Sequence, residues 1–100
     1  MGYKVILGAK AERDLIDIVE FIAQGSPLAA EKIGAAILDA ALALDVFPCR
    51  GRVVAFRPGF RRIAVPPHYA IFYRVNESSH LVEIATIWDG RRNPADLNMS

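Results

Sequence analysis

Past Pro48 the hydrophobic period of this sequence changes from that of a helix to that of strands, and that change limits what the chain can become. Between residues 9 and 46 apolar side chains recur every three to four positions. Between residues 52 and 88 they alternate in twos or run in short β-branched blocks. A helical N-terminal part followed by hairpin-linked strands is the arrangement this pattern predicts. With 100 residues and 53% of them hydrophobic, one domain over 1–100 is expected, with enough apolar material for a core.

Punctuation marks divide the two parts. Tyr3 to Leu7 reads as a strand, and Gly8 breaks it. Leu15, Ile18, Val19 and Ile22 then form the apolar stripe of a first helix, with Glu12, Arg13, Asp17, Glu20 and Gln24 opposite. Gly25 ends it. Ser26-Pro27 starts the next helix with a capping hydroxyl and a proline at the first helical position. So short a joint predicts an antiparallel helical hairpin. The second helix is expected from Pro27 to Val46, where Phe47-Pro48 stops it. It carries one stripe of Ile33, Ile37, Ala40 and Leu44 and a second of Leu38 and Leu42, so both of its sides are expected to be packed.

The remaining segments read as strands: Arg52–Arg57, a Pro58-Gly59 turn, Phe60–Val65, and, past Pro66-Pro67, Tyr69–Val75. Tyr69, Ile71, Tyr73 and Val75 share one face of that strand, and Ala70, Phe72 and Arg74 the other. Leu81–Trp88 is apolar on both faces and is expected to be central or covered. The predicted fold is α+β: a curled, antiparallel-rich sheet with an N-terminal helical hairpin, in the order β-α-α-β-β-β-β.

Charge is divided along the chain. Residues 1–48 hold four basic and seven acidic side chains. Residues 49–100 hold eight arginines against four acids. Arginine matches carboxylates and phosphates with a planar fork, so the second half suits an acidic partner. The overall charge of +1 is far below that of a dedicated nucleic-acid binder, and no sequence-specific nucleic-acid binding is expected of the chain alone. Cys49, His68 and His80 lack ligand spacing, so neither a metal nor a cofactor is expected. Cys49, beside Pro48, is read as a buried or half-buried filler; a single cysteine fits a reducing compartment. No apolar run approaches the ~18 residues that cross a bilayer, and the first residues lack a signal peptide's apolar stretch, so a cytoplasmic location is expected.

Several stretches, taken in order, resemble the ParE/RelE superfamily of toxins, which belong to type II toxin–antitoxin (plasmid stabilisation) systems. They are Ala11-Glu12-Arg13-Asp14-Leu15-Ile16-Asp17-Ile18, Gly25-Ser26-Pro27-Leu28-Ala29-Ala30, Phe47-Pro48, Arg61-Arg62, His68 to Val75, and Ile84 to Pro94. Two chemistries occur in that superfamily. The resemblance to ribonuclease members implies cleavage of ribosome-bound mRNA, but Ala70 stands where those members carry an arginine. The tail from Asn93 to Ser100 holds no tyrosine or histidine. If the chain were such a ribonuclease, Arg61, His68 and Arg92 are the candidate catalytic residues.

Tyr73-Arg74-Val75 and Gly90-Arg91-Arg92 are closer to the ParE-like branch. That resemblance implies a bacterial toxin that stalls DNA gyrase by protein–protein contact and is silenced by a ParD-like antitoxin. A non-toxic, partner-binding scaffold of the same fold is the third alternative. On this reading Arg91 and Arg92 contact the target, while Leu38, Leu42, Arg61 and Arg74 contact the antitoxin. Arg74 and Glu83 are also placed to pair across a hairpin.

Overall fold

A computed structural model describes residues 2–97; residues 98–100, the end of the tail read above as lacking tyrosine and histidine, lie outside the described part. Strand β1 (Lys4–Leu7) leads through Gly8 into helix α1 (Ala9–Gly25) and helix α2 (Pro27–Leu42). Strands β2 (Arg52–Val53), β3 (Arg61–Val65), β4 (Tyr69–Asn76) and β5 (Leu81–Asp89) follow. The predicted order and the α+β architecture are those observed.

The helical joint forms as the sequence chemistry dictates. The Ser26 hydroxyl accepts from the Ala29 N–H at 3.1 Å, and Pro27 opens α2 without needing a donor. The second helix is shorter than expected. Its α-helical part ends at Leu42, and Ala43–Asp45 tightens into a 3-10 turn. The tighter turn buries Leu44 completely and brings the Asp45 carbonyl to the Tyr3 N–H at 2.7 Å. Only one side of α2 is packed at its C-terminal end: Ile37, Ala41 and Leu44 are buried, while Leu38, Leu42, Val46 and Phe47 are exposed.

The five strands form one sheet in the order β1-β5-β4-β3-β2. All neighbours are antiparallel except β1, which runs parallel to β5 with Lys4 opposite Leu81. Strand β5, paired on both sides, has the covered position its composition predicts. The strand expected over Arg52–Arg57 is cut to two residues. Val54 N–H donates to the Phe60 carbonyl, Arg57 N–H to Val54, and Phe60 N–H to Arg57, closing a compact turn in which Gly59 adopts φ +88°. Burial of Val54 and Phe60 draws this turn over the sheet and ends the ladder.

The alternation of β4 separates two cores. Tyr69, Ile71 and Tyr73 join Ile37, Leu44, Val82 and Ile84 beneath the helices. Ala70 and Phe72 face the other way and join Val54, Phe60 and Trp88. Tyr73 is fully buried, and its phenolic oxygen accepts from the Gly51 N–H at 2.9 Å, which ties the loop after α2 to the sheet. Cys49 in that loop is exposed, contrary to the filler role expected of it, because Gly51 and not Cys49 is the residue drawn inward.

Candidate functional site

The face of the sheet away from the helices is laid with arginines over aromatic rings. The guanidinium carbons of Arg57 and Arg74 lie 5.4 and 5.5 Å from the centre of Phe60. Arg62 lies 5.8 Å from Phe72, and Arg92 lies 5.4 Å from Trp88. The negative faces of the rings attract the cations, each contact contributing about 0.5–1 kcal/mol where exposed. Cation–π attraction draws each guanidinium over its ring and leaves its N–H edge for other partners. Arg74 uses that edge on Glu83, with Nε and Nη2 each 2.8 Å from Oε1. Among the described residues, Arg57, Arg62 and Arg92 form no salt bridge. A partner bearing carboxylates or phosphates would meet oriented donors here.

The residues singled out in the sequence do not all meet. Arg61 pairs opposite Tyr73 and Arg62 opposite Phe72, so the two arginines take opposite faces. Arg61 Nη1 donates to the Gly51 carbonyl at 2.9 Å and the Cys49 carbonyl at 3.3 Å, bracing the loop. Arg74 stands on the opposite face, so the two arginines assigned to the antitoxin do not share a surface. Leu38 and Leu42 lie apart from both, on the exposed side of α2. Arg57 and Arg62 were not singled out for this face. The parity shared by Arg62 and Phe72 was the signal available for one; the turn that brings Arg57 over Phe60 had none.

The end of β5 gathers a second group. Gly90 N–H donates to the His68 carbonyl at 2.7 Å, and a Cβ at Gly90 would approach that oxygen to 2.9 Å, so glycine is required for the close passage. Asp89 holds Arg91 through the backbone N–H at 2.9 Å, Nε at 3.1 Å and Nη2 at 2.9 Å. These bonds from Arg91 hold the Asp89 carboxyl below its ordinary range, against a smaller opposing effect of burial. A depressed folded pKa means that the contribution to stability is present above the unfolded carboxylate value and is lost as pH falls through the folded one. Arg91→Ala is therefore expected to move the Asp89 titration upward, followed by NMR of the carboxyl carbon. An unmoved midpoint would show that the pair does not form in solution.

Of the three residues named for ribonuclease chemistry, His68 and Arg92 lie at this end. Arg61 does not. It faces Tyr73 while Val65 faces Tyr69, so four residues of ladder, about 13 Å at ~3.3 Å per residue, separate Arg61 from the residue beside His68. The His68 ring packs 4.4 Å from that of Tyr69. Burial, and next the Asp89 charge, push the Tyr69 hydroxyl upward, so it stays a neutral donor. Asp17, Ile18, Phe21, Tyr69, Asp89 and Arg92 line a shallow cleft between α1 and the end of β5. Among the described residues no cluster of three metal-ligating side chains occurs, and no helix is long and apolar enough to cross a membrane.

Comparison with known proteins agrees with this architecture. The family model described as the ParE toxin of the type II toxin–antitoxin system parDE matches residues 5–94. Toxin RelE1 of Caulobacter vibrioides is 35% identical over 94 residues, which is 90% of this chain and 96% of that protein. The fold is shared with the toxin–antitoxin complex RelBE2 of Mycobacterium tuberculosis (TM-score 0.69, 24% identity, 89% of this chain and 99% of that one). It is shared also with the chromosomal ParDE system of P. aeruginosa (TM-score 0.74, 21% identity, 87% and 95%). The helical hairpin laid on this sheet, matched along nearly its whole length, places the chain in the ParE toxin family of type II toxin–antitoxin systems.

Proposed function

We propose that this toxin stalls DNA gyrase by protein–protein contact through the chain end bearing Arg91 and Arg92. A ParD-like antitoxin holds it silent. The observation that carries this reading is the separation of Arg61 from His68 and Arg92. In-line cleavage of RNA needs proton-transfer and charge-stabilising groups around one phosphate, and Arg61 stands about 13 Å along the ladder from the end that holds His68 and Arg92. The fixed guanidiniums instead suit recognition of carboxylates on a protein surface.

Purified toxin is expected to inhibit gyrase supercoiling and to leave ribosome-bound mRNA intact. Cleavage of that mRNA with supercoiling unaffected would replace this reading with the ribonuclease one. Strong expression without growth arrest would favour the harmless scaffold.

For the antitoxin, the exposed stripe of Leu38 and Leu42 offers an apolar groove edge to an amphipathic helix, and the arginine face suits an acidic extended segment. Of the original arginine pair, Arg74 is the one on the arginine-bearing face, where an acidic segment would compete with Glu83 for it; Arg61 braces the loop on the other side. Leu38→Asp with Leu42→Asp is expected to weaken antitoxin binding about tenfold or more by calorimetry, since both side chains are exposed and the toxin core is untouched. Unchanged affinity would exclude this side of α2 as a docking surface.

A further inference from the structure

Strand β5 does not alternate evenly. Phe72 pairs with Thr86 and Tyr73 with Ile84, so Ala85 is an extra residue without a partner on β4. The consequence is a reversal of sides. Ile84 lies in the core under the helices, and strict alternation would put Trp88 there too. Instead Ile87 lies under the helices, while Ala85 and Trp88 face the arginine-bearing side.

Two side chains of α1 hold the irregular strand, Asp14 with two bonds to it and Lys10 with one. Asp14 Oδ2 accepts from the Ile87 N–H at 3.1 Å and from the Thr86 hydroxyl. Lys10 Nζ donates to both Asp14 oxygens, at 3.0 and 2.9 Å, and to Thr86 Oγ1 at 3.0 Å. Thr86 is fully buried, and the Asp14 side chain is 18% exposed, so these bonds are shielded from competing water. The carboxylate takes hydrogen bonds at the place where the extra residue disturbs the ladder. Nothing in the proposed gyrase contact or in antitoxin docking uses this group.

We infer that Asp14 is a positioning residue of the toxin: by holding the β5 bulge it selects the side of the sheet on which Trp88, and with it Arg92, is presented. Its bearing on gyrase rests on the reading above; its control over Trp88 does not. Both claims can be tested apart, because Trp88 is the one tryptophan in the sequence.

The experiment is a double-variant cycle read by Trp88 fluorescence and acrylamide quenching. In the wild type, Arg92→Ala should shift the emission and increase quenching, because the guanidinium covers the ring. In an Asp14→Ala background the same substitution should produce no further change. Asp14→Asn keeps an acceptor oxygen for the Ile87 N–H and should retain the shift. Persistence of the shift in Asp14→Ala, or its loss in Asp14→Asn, overturns the inference. Where Asp14→Ala does not fold, Thr86→Val removes the buried hydroxyl and is read the same way: a diminished shift supports the inference and an undiminished one overturns it. In parallel, Asp14→Ala should weaken supercoiling inhibition about tenfold. If wild-type toxin does not inhibit gyrase at all, the proposed target is wrong, and the fluorescence cycle still decides the role of Asp14.

Discussion

Arg92→Ala is expected to weaken the proposed inhibition of gyrase the most, raising the concentration needed to inhibit supercoiling by about 10- to 100-fold. That range corresponds to losing one desolvated, charge-assisted contact of about 1.5–3 kcal/mol. The expectation follows from how the two terminal arginines are held. Arg91 spends its N–H groups on Asp89, and a partner would have to break those bonds to recruit it. Arg92 rests on Trp88 and, among the described residues, has no acidic partner, so its donors are already oriented and unspent. Arg91→Ala is accordingly expected to have a smaller effect. Supercoiling assays on the two single variants and the double variant would settle the ranking. Equal potency of the double variant and the wild type would remove the chain end from the target contact.

The largest effect on stability is expected at Tyr73. Tyr73→Ala should destabilise the fold by about 3–5 kcal/mol, the range for removing a fully buried aromatic side chain. That is a large part of the ~5–15 kcal/mol available to a domain of this kind. Tyr73 touches the core beneath the helices and also holds the loop after α2 through Gly51. Tyr73→Phe separates these roles: it keeps the ring and leaves the buried Gly51 N–H unpaired, at a cost of about 1–3 kcal/mol. Gly51→Ala attacks the same joint from the other side. A Cβ there would stand 2.6 Å from the Tyr73 oxygen and 2.7 Å from the Arg62 carbonyl, neither of which can yield without moving the strand or the loop. Urea denaturation should rank Tyr73→Ala as more damaging than Tyr73→Phe. A phenylalanine variant as unstable as the alanine one would mean that the hydrogen bond, and not the ring, holds this part of the fold.

These two positions mark a division in the molecule. Under the helices the sheet carries the main apolar core, crossed by polar contacts at Asp14 and Tyr73. On the other side a thin cluster of Val54, Phe60, Ala70, Phe72 and Trp88 supports cations in place of a second layer. A sheet face covered by guanidiniums in place of another element is left open to an acidic partner, which is the partner chemistry the proposed antitoxin would supply.

Local chemistry written in the sequence was enough for the helical hairpin, its Ser26-Pro27 joint, the two-faced alternation of β4 and the Arg74–Glu83 pair. Each of these depends on residues a few positions apart or directly opposite across one hairpin. Three features depended on contacts between distant segments and could only be decided by the folded chain. Burial of Val54 and Phe60 cut β2 short and carried Arg57 onto the open face. The backbone carbonyls of Cys49 and Gly51 took up Arg61, which sequence alone offered to a partner. Asp14, 72 and 73 residues away from the groups it binds, accompanies the reversal of sides at the end of β5. Periodicity reports which side chains prefer to be buried; where a strand slips by one residue, only the tertiary hydrogen bonds say which side of the sheet receives them.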